Sequence, residues 1–170
     1  MTQAVSPAKW VYSGEVPAVD PSPSSPDHLE SRLEFETLIS DLSSGFVDLP
    51  AAEVDSAIED AQHRVCEFLG VDRSVVWQWS SEPPAAPTPT HIHFARGSPG
   101  SAESLRADLF PWMRRELQAG REIVLPSLDE LPAEAAVDRE NAHRLGVQSA
   151  LLFPLSAGGK PPVGVLSFTT

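Results

Sequence analysis

His91 and His93 are the first residues whose type and spacing could do chemistry. Two apart on an extended segment, they place both imidazoles on one face. Neutral imidazole is a common ligand for a transition metal or haem. A metal centre needs three or four ligands, however, and no cysteine or carboxylate stands at a matching spacing. The plainer reading is a polar pair lining a cavity or lying on a half-exposed strand, so no metal ligand is assigned. Cys66, the lone cysteine, lies within an amphipathic segment and reads as a small buried hydrophobe. Gly158-Gly159-Lys160 lacks the spacing and the following helix of a phosphate loop, and reads as a hairpin turn. Serine and histidine are plentiful, yet there is no Gly-x-Ser-x-Gly elbow and no local cysteine–base signature. The acidic pairs Glu59-Asp60 and Asp129-Glu130 fall at helix starts or on solvated faces. No catalytic residue is assigned.

A second group has the make-up of a binding site. Phe110, Trp112, Met113 and Leu117 form an apolar patch of aromatic and soft side chains. Roofing a sheet over Trp77 or Trp79, they would enclose a mostly apolar cavity with His91, His93 and Ser149 as polar markers, the usual composition of a small-molecule site. At helical spacing the same patch also reads as filled core. Both readings stay open.

The elements that must position these residues follow from periodicity and punctuation. Five prolines in the first 28 residues, among serines and without any period, predict a disordered leader over 1–28. Asp27-His28-Leu29-Glu30 then reads as a capping box for a helix to about Ser44, with Phe35, Leu38, Ile39, Leu42 and Phe46 as its stripe. A second helix follows Pro50, with the stripe Val54, Ile58, Ala61, Val65, Phe68 and Leu69 and a stop at Gly70. Asp72–Ser80 alternates as a strand, and Thr90–Ala95 is a second, expected to pair with it antiparallel. Pro83, Pro84, Pro87 and Pro89 mark the connection between them. Further along come a helix over Leu105–Gln118, a strand over Glu122–Leu125 and a helix over Pro132–Leu145. Strands over Ser149–Leu155 and Val163–Thr169 close the order. An antiparallel sheet with segregated helices, an α+β domain, follows.

Composition limits what this domain can do. A chain of 170 residues with 41 % hydrophobic residues can bury a core without staples. Its net charge of −12 argues against nucleic acid and against an anionic membrane surface. One cysteine excludes an intramolecular disulfide, and with it a secreted stapled scaffold. No stretch approaches the roughly 18 apolar residues of a membrane span. A cytoplasmic location is expected.

Several runs, in order, resemble a known family. They are Leu42-Ser43-Ser44-Gly45-Phe46-Val47, Leu49 to Asp55, Ile58-Glu59-Asp60-Ala61, and Phe68 to Arg73 leading into Trp77-Gln78. Asp108 to Trp112, Ser127 to Pro132, Leu145 to Ser149, and Pro154-Leu155 to Phe168 continue the series. Together, over about residues 32–170, they resemble the GAF domains of bacterial signalling proteins, in the subtype of sensor histidine kinases and enhancer-binding transcription activators.

The resemblance implies an α+β, GAF/PAS-like fold. A central antiparallel sheet would carry helices on one face and helix-containing connections over the other. It implies a domain over 29–170 that senses a small molecule, belongs to a two-component or transcription-control protein, and has no catalytic activity of its own. Family members continue past the last strand into a long helix that couples to a kinase or ATPase output module. This sequence stops at Thr170, so that C-terminal helix is expected to be absent, the chain being a fragment or a stand-alone remnant. Leu29 and Leu33 are placed at a homodimer interface. The candidate ligand-binding set is Trp77, Trp79, His91, His93, Phe110, Trp112, Met113, Leu117 and Ser149. The ligand is left unassigned, and no covalently bound cofactor is expected, because Cys66 lies on a helix away from the pocket. The same placement argues against the methionine-sulfoxide reductase activity of some GAF-fold proteins. The alternative of a different class is a pocketless GAF domain that serves as a protein-interaction module.

Overall fold

The computed structural model describes residues 26–79, 87–95 and 106–170. Most of the expected leader, together with Pro83, Pro84 and Leu105, lies outside the described residues. The chain divides after Val47 into two units. In the first, one helix is described, α1 (Pro26–Gly45), close to the span expected from its capping signals. Of its expected stripe, Leu38 and Leu42 are half-buried, while Phe35, Ile39 and Phe46 are exposed.

The second unit begins with a single 3-10 turn, Ala51–Glu53, that runs into α2 (Val54–Leu69). Gly70 ends α2 in the left-handed conformation at φ 64°, and its N–H donates to the Cys66 carbonyl, the closure that glycine makes without strain. The buried face of α2 differs from the expected stripe. Gln62 and Cys66 are its most buried residues, whereas Phe68 and Leu69 are 38 % and 37 % exposed. A polar side chain holds the inward position because it has a partner there: Gln62 Nε2 donates to Ser74 Oγ at 3.1 Å.

Five strands form one antiparallel sheet: β1 (Arg73–Trp79), β2 (Pro87–Phe94), β3 (Ile123–Leu125), β4 (Ala150–Leu155) and β5 (Gly164–Thr169). The order is β2-β1-β5-β4-β3. β4 and β5 form the expected hairpin, with Gly158 and Gly159 at φ 59° and 73° in its turn. β2 starts earlier than expected and takes in Pro87 and Pro89. Proline cannot donate to a ladder, but β2 is an edge strand, where that loss is tolerated. The register slips between Val76 and Trp77, so Thr90 bulges opposite them and donates its hydroxyl to the Val76 carbonyl at 3.2 Å.

Two connections carry the remaining helices. The helix expected over 105–118 is a 3-10 turn, Ala107–Leu109, followed by α3 (Pro111–Gln118). Pro111 opens α3 rather than sitting inside it, since proline has no N–H and its ring clashes with the preceding turn. The helix expected over 132–145 likewise resolves into a turn, Ala133–Ala135, and α4 (Ala136–Arg144). The core lies between these connections and the sheet, around Met113, Leu117, Ile123, Leu125, Ala142 and Val165.

Candidate ligand cavity

Strand alternation sorts the sheet into two faces. In β1, Ser74 turns toward α2, where Gln62 meets it. Arg73, Val75, Trp77 and Trp79 therefore turn the other way. Their partners across the ladder, Thr169, Ser167 and Val165 in β5, share that face, as do Ala150 and Leu152 in β4. With Pro87 they floor a cavity of about 110 Å³. The roof comes from the two connections. Arg106, Phe110, Met113, Arg114 and Leu117 come from the first, and Ala142, Leu145 and Val147 from the second.

The roof is pinned by polar groups of α4. Asp138 is fully buried and accepts from the backbone N–H groups of Trp112 and Met113 at 3.1 and 2.8 Å. Those amides belong to the first turn of α3, where N–H groups lack an intrahelical partner, and the helix's own N-cap, Phe110, supplies no side-chain bond. Asp138 thus caps α3 from another helix, its negative charge at the positive end of the helix dipole. Asn141 Nδ2 donates to the Leu109 carbonyl at 2.6 Å, and the Arg139 guanidinium donates to the carbonyls of Leu128 and Leu131.

The polar inventory of the cavity is small. On the floor, Trp77 Nε1 donates to Ser167 Oγ at 3.1 Å, and that hydroxyl donates to the Val75 carbonyl at 3.2 Å. Ser167 is therefore committed to the sheet. The Arg73 Nε donates to Thr169 Oγ1 at 3.0 Å. Burial pulls the Arg73 guanidinium below the usual arginine range, partly offset by the Asp72 charge. Arg106 is exposed and ion-paired with Asp108 at 2.6 Å, and their hydrogen bond raises the one pKa and lowers the other. Trp79 Nε1 is buried and has no hydrogen-bond acceptor among the described residues, an omission that ordinarily costs about 1–3 kcal/mol.

Of the nine candidate residues, Trp77, Trp79, Phe110, Met113 and Leu117 come together around the cavity. The other four do not line it. His91 and His93 pair with Val76 and Ser74 across the β1–β2 ladder and so face α2. There, His91 Nε2 lies 3.2 Å from Asp55 Oδ1, and the His93 ring lies 5.2 Å from that of His63, tilted by 58°. Trp112 packs on the core from the first turn of α3, and Ser149 Oγ bonds Thr170 Oγ1 at 2.7 Å. Cys66 also lies on the α2 side, and burial pushes its thiol up to about 11. Among the described residues, no group of three or more His, Cys, Asp or Glu side chains could hold a metal ion. Sequence reasoning missed the arginines and Asp138. One signal for Asp138 was present: Pro111 opens a helix behind Phe110, which cannot cap it.

The sequence matches the GAF domain family model over residues 53–170. Solved structures share the fold at low identity. The phycoerythrobilin-bound GAF domain of a cyanobacterial phytochrome is 14 % identical with a TM-score of 0.61, over 81 % of this chain and 82 % of that one. The blue-light absorbing form of the PixJ GAF domain of Thermosynechococcus elongatus is 19 % identical with a TM-score of 0.55, over 73 % of each chain. Staphylococcus aureus NreA, mutated in its nitrate binding site, is 16 % identical with a TM-score of 0.52, over 71 % of this chain and 88 % of that one. No curated protein sequence matches. No helix among the described residues is long and apolar enough to cross a membrane. A family match over more than two thirds of the sequence, on a five-stranded antiparallel sheet roofed by helical connections, establishes that the chain belongs to the GAF domain family.

Proposed function

We propose that this GAF domain is the small-molecule sensor of a bacterial signal-transduction protein, a sensor histidine kinase or a transcription regulator. It works without catalysis of its own, in the cytoplasm and as a homodimer, with a kinase or ATPase module as its output. The observation that carries the reading is the cavity itself. A site of about 110 Å³ lies between the sheet and two connections whose helices are tied to each other by Asp138. Occupancy would be felt directly by α3 and α4, because Met113, Leu117 and Ala142 all line it. The Trp79 N–H, without a partner among the described residues, supports the reading further, since an acceptor on a bound molecule would satisfy it. The committed hydrogen bonds of Ser167 favour a binding role over a nucleophilic one.

Thermal denaturation against a panel of small metabolites tests this. A ligand at about 100 times its Kd stabilises the folded state by about 2.7 kcal/mol. Filling the space with Ala142→Leu is expected to abolish that shift while leaving the fold intact. A shift that survives the substitution would move the site elsewhere.

A further inference from the structure

We propose that the cavity is built for a small organic anion, an apolar body of about one ring carrying a single carboxylate that Arg73 and Arg114 meet. The inference rests on the reading of the cavity as a ligand site and goes on to name the ligand's chemistry. Two observations carry it, the charge of the wall and the size of the space.

Among the described residues, Arg73, Arg106 and Arg114 line the cavity, and no aspartate or glutamate does. The chain carries twice as many acidic as basic residues, 24 against 12, so a wall whose described charges are all cations runs against its composition. The three arginines differ in what they already hold. Arg106 is engaged by Asp108 at 2.6 Å. Arg73 spends its Nε on Thr169, which leaves both terminal nitrogens without a partner among the described residues. Arg114 makes no hydrogen bond or ion pair among the described residues, although its charge is felt by Asp108. Arg73 and Arg114 are both half-buried. A guanidinium withdrawn from water without a partner is unfavourable, and a carboxylate supplies the strong charge-assisted bonds that offset it. A neutral ligand of the same shape leaves both charges as they were.

Size sets the rest of the molecule. An apolar cavity of about 150 Å³ accommodates benzene, whereas drug-sized ligands occupy pockets of roughly 300–1,000 Å³. A space of about 110 Å³ is therefore on the scale of one ring. Trp77, Phe110, Met113 and Leu117 supply the apolar contact.

The test uses pairs of identical shape that differ in charge. Benzoate with benzamide, and 3-phenylpropanoate with 3-phenylpropanamide, are titrated calorimetrically into the full chain, with benzene as a neutral control for access. At least one acid is expected to bind tenfold or more tightly than its amide. That preference should fall in Arg114→Gln and in Arg73→Gln, and with added salt. Circular dichroism of both variants controls for folding. Equal binding of acid and amide, or tighter binding of the amide, overturns the anion inference and leaves the ligand site standing. Benzene uptake without binding of either acid has the same meaning. A preference unchanged in both variants removes the arginines from the account. No binding by any of the five probes defeats the ligand-site reading and the anion inference together.

Discussion

Replacing Asp138 with alanine should loosen the roof of the cavity more than any other single polar substitution. The carboxylate is fully buried and holds the N–H groups of Trp112 and Met113 at 3.1 and 2.8 Å. Hydrogen bonds to a charged group contribute about 1.5–3 kcal/mol each. Losing both, with two helix-terminal amides left dry, therefore costs about 3–6 kcal/mol on the same scale. Asp138→Asn keeps one acceptor oxygen, so its cost should be about half, near 1.5–3 kcal/mol. Urea denaturation of the three proteins measures the ranking. Native-state hydrogen exchange locates it, because the Trp112 and Met113 amides should lose protection in Asp138→Ala while β1 and β5 amides keep theirs. A loss below about 1 kcal/mol with unchanged exchange at those two amides would refute the reasoning, since neutral surface changes fall in that range.

Three further outcomes follow from particular contacts. A side chain at Gly164 would run into the Trp77 carbonyl of the neighbouring strand, so Gly164→Ala should lower stability by about 1–3 kcal/mol in denaturant titration. Burial, then the charge of neighbouring His63, holds His93 below the usual histidine value. The unfolded chain therefore takes up the proton first on acidification. Stability should be level above pH ~6.5 and fall as the pH drops from there through the lower folded value, and His93→Gln should flatten that fall. Cys66 is buried with its thiol pushed up to about 11. A thiol reagent at pH ~8 should label it slowly in the native chain and readily in urea, because the thiolate is the reactive form.

The sheet was largely legible in the sequence because its strands alternate cleanly and its turns carry glycine. Gly70, Gly158 and Gly159 mark stops whose positive φ values bear out that role. The errors have local causes. Pro87 and Pro89 resembled loop punctuation, and only the topology, which puts β2 at the edge, reconciles them with a strand. His91 and His93 share a face, as their spacing predicts, but the pattern alone cannot say which face. The bulge at Thr90 and the pairing of His93 with Ser74 turn both toward α2. The aromatic half of the cavity was visible as a patch of unusual composition. Its arginines were not, because Arg73, Arg106 and Arg114 are scattered over a strand, a connection and a helix. Asp138 was hidden in a helix rich in charge, where one buried carboxylate looks like its exposed neighbours.

The central claim is that the space between the sheet and its helical roof holds a small ligand. Its most direct test is a titration of the isotopically labelled chain with 3-phenylpropanoate, followed at the tryptophan indole N–H resonances. The account predicts that the Trp77 and Trp79 signals move together and saturate, with intermolecular contacts to Met113 and Leu117, while the α2-facing His93 stays still. Saturable shifts confined to the His91–His93 face, or none at any indole with millimolar 3-phenylpropanoate and none with benzoate, benzene or either amide in its place, would contradict it.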